Sequence, residues 1–164
     1  MVNRHAYGAM LAAALLVVGS AAKADSSRED FLKTAIRGDN SEIRLGELAA
    51  KNGSRPAVRE FGQTLVADHA KAKTQAARVA RKLGVDVPSG AMLKADAEYL
   101  KLKVLSDRSF DREFVGYMIR DHQQDIHDFT AVARTHKGPV GDLAQMQLPT
   151  LKKHLRLAED LVRP

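Results

Sequence analysis

The chain has 164 residues, room for one domain, and 45% of them are hydrophobic, enough for a core of its own. It contains no cysteine, which excludes disulfides, thiolate catalysis and cysteine-ligated metals. Lys and Arg number 26 against 20 Asp and Glu, a net charge of +6; without Trp or a dense basic run, nucleic acid is not the expected partner.

In chain order, the first 24 residues read as an export signal. Arg4 supplies the positive start, residues 9–18 are an unbroken apolar run, and Ala22-Lys23-Ala24 gives the small-x-small pattern of a cleavage site. The run is too short to cross a bilayer, which takes about 20 residues in a helix. The mature chain is therefore expected to begin at Asp25, in the periplasm or outside the cell, with no transmembrane segment left after signal removal. No Cys follows the small residues, so no lipid anchor is expected.

From there apolar residues recur at helical spacing, and no stretch alternates as a strand would. The fold class is all-α. A first helix is expected over residues 27–52, capped by Ser26 or Ser27, with Glu29 and Asp30 in its first turn. A second starts at Pro56, a residue suited to the first helical position, and runs to Leu83, with Gly84 as its stop. The two should be antiparallel neighbours. Pro88 and Gly90 mark a break, followed by a short helix over residues 91–105. A third long helix is expected from Ser109 to Lys137. A fourth follows Gly138-Pro139 and ends near Val162, with Pro149 kinking or splitting it. Four long helices with a long connection between the second and third suit a bundle with one crossover; an up-down-up-down bundle with a side helix is the alternative.

Histidines carry the one chemical signal. His5 leaves with the signal, and His127 and His136 have no partner pattern. The other three each interrupt an apolar stripe. They are His69 among Phe61, Leu65, Ala72 and Ala76, His122 among Phe114, Met118, Ile126 and Phe129, and His154 among Leu151, Ala158 and Leu161. On the first helix, Glu42 stands on the line of Ala35, Gly38, Leu45 and Ala49. Counting outward from Ser54, Glu42 lies 12 residues back and His69 15 forward. That difference is about 4.5 Å along the axis. From Pro139, His122 is 17 residues back and His154 is 15 forward. Four helices thus deliver one potential ligand each to one layer.

Such layers are how bundles build metal sites, and imidazole with carboxylate suits Zn, Cu, Ni or Fe. The candidate ligands are Glu42, His69, His122 and His154, with Asp125 a fifth, because it follows His122 by one helical step. Glu47, nearer the turn, ranks below Glu42. Asp68 and Asp121 directly precede layer histidines, which aims them away from the layer and makes them supporting or surface groups. The bland alternative is a hydrogen-bonded polar layer that sets helix register and holds no metal. No glycine-rich phosphate loop, HExxH pattern or nucleophile elbow is present, so no enzyme is indicated.

Residues 35–50 (AIRGDNSEIRLGELAA), 58–71 (VREFGQTLVADHAK), 110–123 (FDREFVGYMIRDHQ) and 148–158 (LPTLKKHLRLA) resemble the exported bacterial proteins grouped as domain of unknown function 4142. The resemblance covers nearly the whole mature chain, in order. It implies a ferritin-like helical bundle in the cell envelope, a family often labelled as outer membrane proteins, and no defined activity. Glu42, His69, His122 and His154 are its matching positions. Val66, Ile119 and Leu151 stand three residues before the histidines, so the Glu-x-x-His pairs of di-iron bundles are missing. A single histidine-rich site, Zn or Cu rather than Fe, is the metal expectation. A structural, interaction or stress-protection bundle with an envelope partner is the expectation without metal.

Overall fold

A computed structural model describes the backbone of residues 10–163 and the side chains from residue 25 onward. Residues 1–9 of the expected signal lie outside the described residues, and residues 10–24 are described in backbone alone. Among the described residues every regular element is a helix: α1 (Met10–Asn52), α2 (Pro56–Lys82), α3 (Leu93–Lys103), α4 (Asp107–Thr135) and α5 (Pro139–Val162). None is long and apolar enough to cross a membrane.

Three expectations are corrected. Helix α1 begins at Met10, well before Ser27, because the Ala- and Leu-rich run ahead of it has high helix propensity and no proline. Ser26 and Ser27 therefore lie within that helix in the uncleaved chain and do not form its start. Helix α4 begins at Asp107 after Ser106; Ser109 sits inside the first turn, where its hydroxyl donates back to the Ser106 carbonyl at 2.5 Å. Pro149 does not split α5. It lies on the exposed side, where the carbonyl its ring leaves without a donor can meet water. Gly84 stops α2 as expected: its φ is +72°, and the Val85 N–H closes back onto the Ala80 carbonyl at 2.9 Å.

Hydrogen bonds at the two ends fix the helix directions. The Ser54 and Arg55 N–H groups, in the α1–α2 turn, donate to Asp111 at the start of α4 (2.8 and 3.0 Å). Arg55 also donates to the Leu161 carbonyl at the end of α5 (2.9 Å). At the opposite end Ser27 meets His136 at 3.3 Å. Helices α2 and α4 therefore start at the same end and run the same way, so the chain between them returns along the molecule. It does so beside α1. Asn40 donates to the Gly90 carbonyl (2.9 Å), the Ser41 hydroxyl accepts from Met92 N–H (2.9 Å), Arg44 pairs with Asp96, and its guanidinium covers the Tyr99 ring at 3.9 Å.

Helices α1 and α2 approach closely at Gly46 and Gly62. A Cβ on Gly62 would lie 2.6 Å from the Gly46 carbonyl and 2.7 Å from the Ala50 nitrogen, so only glycine permits this crossing. The apolar core is divided along the axis. Leu45, Phe61, Leu65, Phe110, Phe114 and Met118 fill the end near the α1–α2 turn. Leu32, Ile36, Ala76, Ala80, Val140 and Leu143 fill the other, next to Phe129 and Leu151. Between them lie buried polar side chains: Asp39, Glu42, His69, Asp121, His122, Gln147 and His154.

Candidate metal centre

His69 on α2, His122 on α4 and His154 on α5 are buried, each on the inward stripe of its helix. Their ring centroids are 5.9 Å (His69–His122), 5.1 Å (His69–His154) and 5.3 Å (His122–His154) apart. One ring nitrogen from each lies within 4.8 Å of the other two. Helix period explains the convergence: each His occupies a core position, and three helices face one axis.

The outer nitrogen of each ring is anchored by the protein. His122 Nδ1 meets the Met118 carbonyl at 3.0 Å. A carbonyl only accepts, so Nδ1 carries the hydrogen and Nε2 keeps its lone pair. His154 Nε2 meets Asp68 Oδ2 at 3.0 Å. Burial alone would raise the Asp68 carboxyl, but hydrogen bonds from His154 and Lys153 outweigh it and hold it below its ordinary value. It therefore accepts as a carboxylate, and His154 Nδ1 keeps its lone pair. His69 Nδ1 meets Asp39 Oδ1 at 2.9 Å, and His69 Nε2, on the inner side, has no hydrogen-bond partner. Burial pushes the Asp39 carboxyl well above its ordinary range, against the charge of Lys73, so Nε2 presents a lone pair once a bound ion displaces the proton that Asp39 and His69 share. Three imidazoles, each with a polar group hydrogen-bonded behind its outer nitrogen, is the arrangement that orients metal-ligating histidines.

The inner separation fits an ion. His122 Nε2 and His154 Nδ1 are 3.3 Å apart. Two nitrogens bound tetrahedrally to one zinc at its usual bond length lie about 3.3 Å from each other. Burial pushes all three rings down. It takes His122 to about 3, helped by the other two histidines, His69 to about 4, and His154 to about 4 against the pull of Asp68. All three are neutral at pH 7, the form that binds metal.

The carboxylates are arranged differently from the expectation. Among the described residues the converging ligand atoms come from the three histidines, and neither Glu42 nor Asp125 belongs to that set. Glu42 is fully buried and neither carboxyl oxygen has a hydrogen-bond partner. Burial first, then the charge of Asp121, push its carboxyl well above the ordinary range. Asp125 is raised to about 7 by the same two causes in the same order. Asp121 turns to Lys94 on α3 at 2.6 Å. Of the two acids that precede layer histidines, Asp68 thus supports the site and Asp121 ties down the crossover. Spacing reasoning missed Asp39. It lies three residues before Glu42, on the same face of α1, and that offset was the available signal. A cavity of about 150 Å³ between α2 and α5 reaches His69 past Asp39, Asp68, Gln147 and Thr150. It leads from the surface towards the rings.

This fold is similar to the crystal structure of a DUF305 fragment from Deinococcus radiodurans, with a TM-score of 0.73, 16% identity, and coverage of 82% of this chain and 93% of that one. At that identity the likeness concerns the fold. No curated protein matches the sequence. The family described as Domain of unknown function (DUF4142) matches residues 14–161, nearly the whole length, and the chain belongs to that family.

Proposed function

We propose that this chain is an exported protein of the cell envelope, a ferritin-like four-helix bundle that holds one divalent transition metal on His69, His122 and His154. The observation that carries the reading is the set of three inward ring nitrogens, each ring hydrogen-bonded to the protein through its outer nitrogen. Three neutral imidazoles without thiolate favour Zn or Cu over Fe. Glu42 and Asp125, whose carboxyls burial raises, enter as nearby acids that offset the charge of a divalent ion or add an oxygen ligand once the ion displaces their protons. Export rests on residues 1–24 and their cleavage pattern.

Elemental analysis of untagged protein from the periplasm, beside a His69→Ala/His122→Ala variant, tests the reading. About one equivalent of Zn or Cu in the wild type, lost in the variant, is the expected result on a three-histidine site. Folded wild-type protein that holds none and takes up none when Zn or Cu is added overturns it. One observation favours a second reading. Each ring already has a protein hydrogen bond, as a metal-free polar layer that sets helix register would require. In that case His69→Leu is neutral or stabilising and added metal leaves the melting curve unchanged.

A further inference from the structure

Where the α1–α2 turn, the start of α4 and the end of α5 meet, a cleft of about 670 Å³ opens. Its volume falls within the roughly 300–1,000 Å³ of small-molecule sites. Arg112, on its wall, precedes His122 by ten residues, about 15 Å along α4, so the cleft is separate from the histidines.

The floor is apolar, formed by Val115, Leu161 and Val162, the last 56% exposed. The rim carries Arg55, Arg108 and Arg112. Only one acid lines the cleft, and it is already engaged. Asp111 is buried, accepts the Ser54 and Arg55 N–H groups, and pairs with the Arg55 Nε at 3.1 Å. That leaves Arg108 and Arg112. Both are exposed, and among the described residues their guanidinium groups have no ion-pair partner. They stand four residues apart on one face of α4, where like charges repel unless an anion lies between them. The same spacing lets two guanidinium groups grip one oxyanion.

We propose that this cleft binds a single-chain anionic amphiphile. Arg108 and Arg112 take its phosphate or carboxylate head, and Val115, Leu161 and Val162 cover the first carbons of its chain. A bare anion would leave the apolar floor in water, and a neutral chain would leave the two guanidinium groups uncompensated. The site does not depend on metal at the histidines.

Isothermal titration of the protein with dodecyl phosphate and with laurate, both below their micelle thresholds, tests the proposal and separates the two head groups. Dodecyl maltoside and inorganic phosphate are the comparison ligands, and Arg108→Gln/Arg112→Gln is the variant. Both positions are exposed, so the variant keeps its fold, as an unchanged far-ultraviolet circular dichroism spectrum will show. At least one of the two anionic chains is expected to bind ten-fold or more tighter than either comparison ligand, and ten-fold or more tighter to the wild type than to the variant. Chelator-treated protein is expected to give the same affinities. Equal binding of inorganic phosphate, equal binding of dodecyl maltoside, equal affinity in the variant, or no binding at all would each overturn the proposal.

Discussion

His122 Nε2 and His154 Nδ1 face each other at 3.3 Å, and neither carries a hydrogen. Two lone pairs directed at one another repel, and a cation between them, a proton or a metal, relieves the contact without giving up the hydrogen bonds behind the rings. Burial has moved both rings down, to about 3 and about 4, which keeps a proton off them at neutral pH. A divalent ion relieves the repulsion and gains a third donor in His69 Nε2, which has no partner of its own.

Metal should therefore stabilise the fold. Zn or Cu at a free concentration of 100 times the dissociation constant adds about 2.7 kcal/mol. For a domain of this size that raises the melting temperature by about 8 °C, read by differential scanning calorimetry before and after chelation. His122→Ala is expected to abolish the rise. A rise of equal size in that variant would place the ion elsewhere.

The acceptors behind the rings should tune the affinity. Asp68 accepts from His154 Nε2 and from Lys153, both at 3.0 Å. Asp68→Asn removes the charge that holds the His154 tautomer, and metal affinity is expected to fall about 10–100-fold. Competition against a chromophoric chelator measures it. Lys153→Ala serves as the control, because Lys153 is exposed and touches Asp68 without touching the ring. Unchanged affinity in Asp68→Asn would mean that His154 does not bind the metal.

The crossing of α1 and α2 should be intolerant of even one methyl group. At Gly62 the new Cβ would meet the Gly46 carbonyl and the Ala50 nitrogen, both backbone atoms that cannot rotate away. The helices must then separate, and Gly62→Ala is expected to cost about 1–3 kcal/mol despite its better helix propensity. Urea unfolding would show a lower midpoint with an unchanged slope. A midpoint equal to the wild type would mean the helices separate at no cost.

Helical period made much of this legible. Apolar stripes with a histidine in each identified three buried side chains on three helices, and a residue count put them at one level. Pro56 and Gly84 marked helix ends because their backbone preferences act locally. Other features depend on what spacing does not encode. Period assigns a residue to a face and leaves open how far its side chain reaches, so Glu42 and Asp125 share the histidine layer by count and stand outside the converging nitrogens. The relative direction of α2 and α4 was also open, because two mid-helix residues stay level either way. Contacts distant in sequence, Ser54 with Asp111 and Ser27 with His136, decide it. Asp39 was readable as a same-face neighbour of Glu42, but only the packed structure pairs it with His69.

The buried acids should give the metal-free protein a recognisable pH response. Asp125 is raised to about 7 by burial and by the charge of Asp121, against Lys94. Its value in the unfolded chain is near 4. A carboxyl raised in the folded state favours folding below the unfolded value, and that contribution is lost as pH rises through the folded one. Between about pH 4 and pH 7 the unfolded chain has released a proton that the folded chain still holds, so stability falls with pH by this group's share. Asp125→Asn removes that share. In chelator-treated protein the variant's stability relative to wild type should be flat below pH 4 and climb to a plateau above pH 7. The gain is on the order of 2 kcal/mol, less than the full shift implies because the side chain is partly exposed. Urea melts at half-unit steps from pH 4 to pH 8 measure it. A difference that stays constant across the range would mean that Asp125 titrates normally and that the acids beside the histidines are solvated.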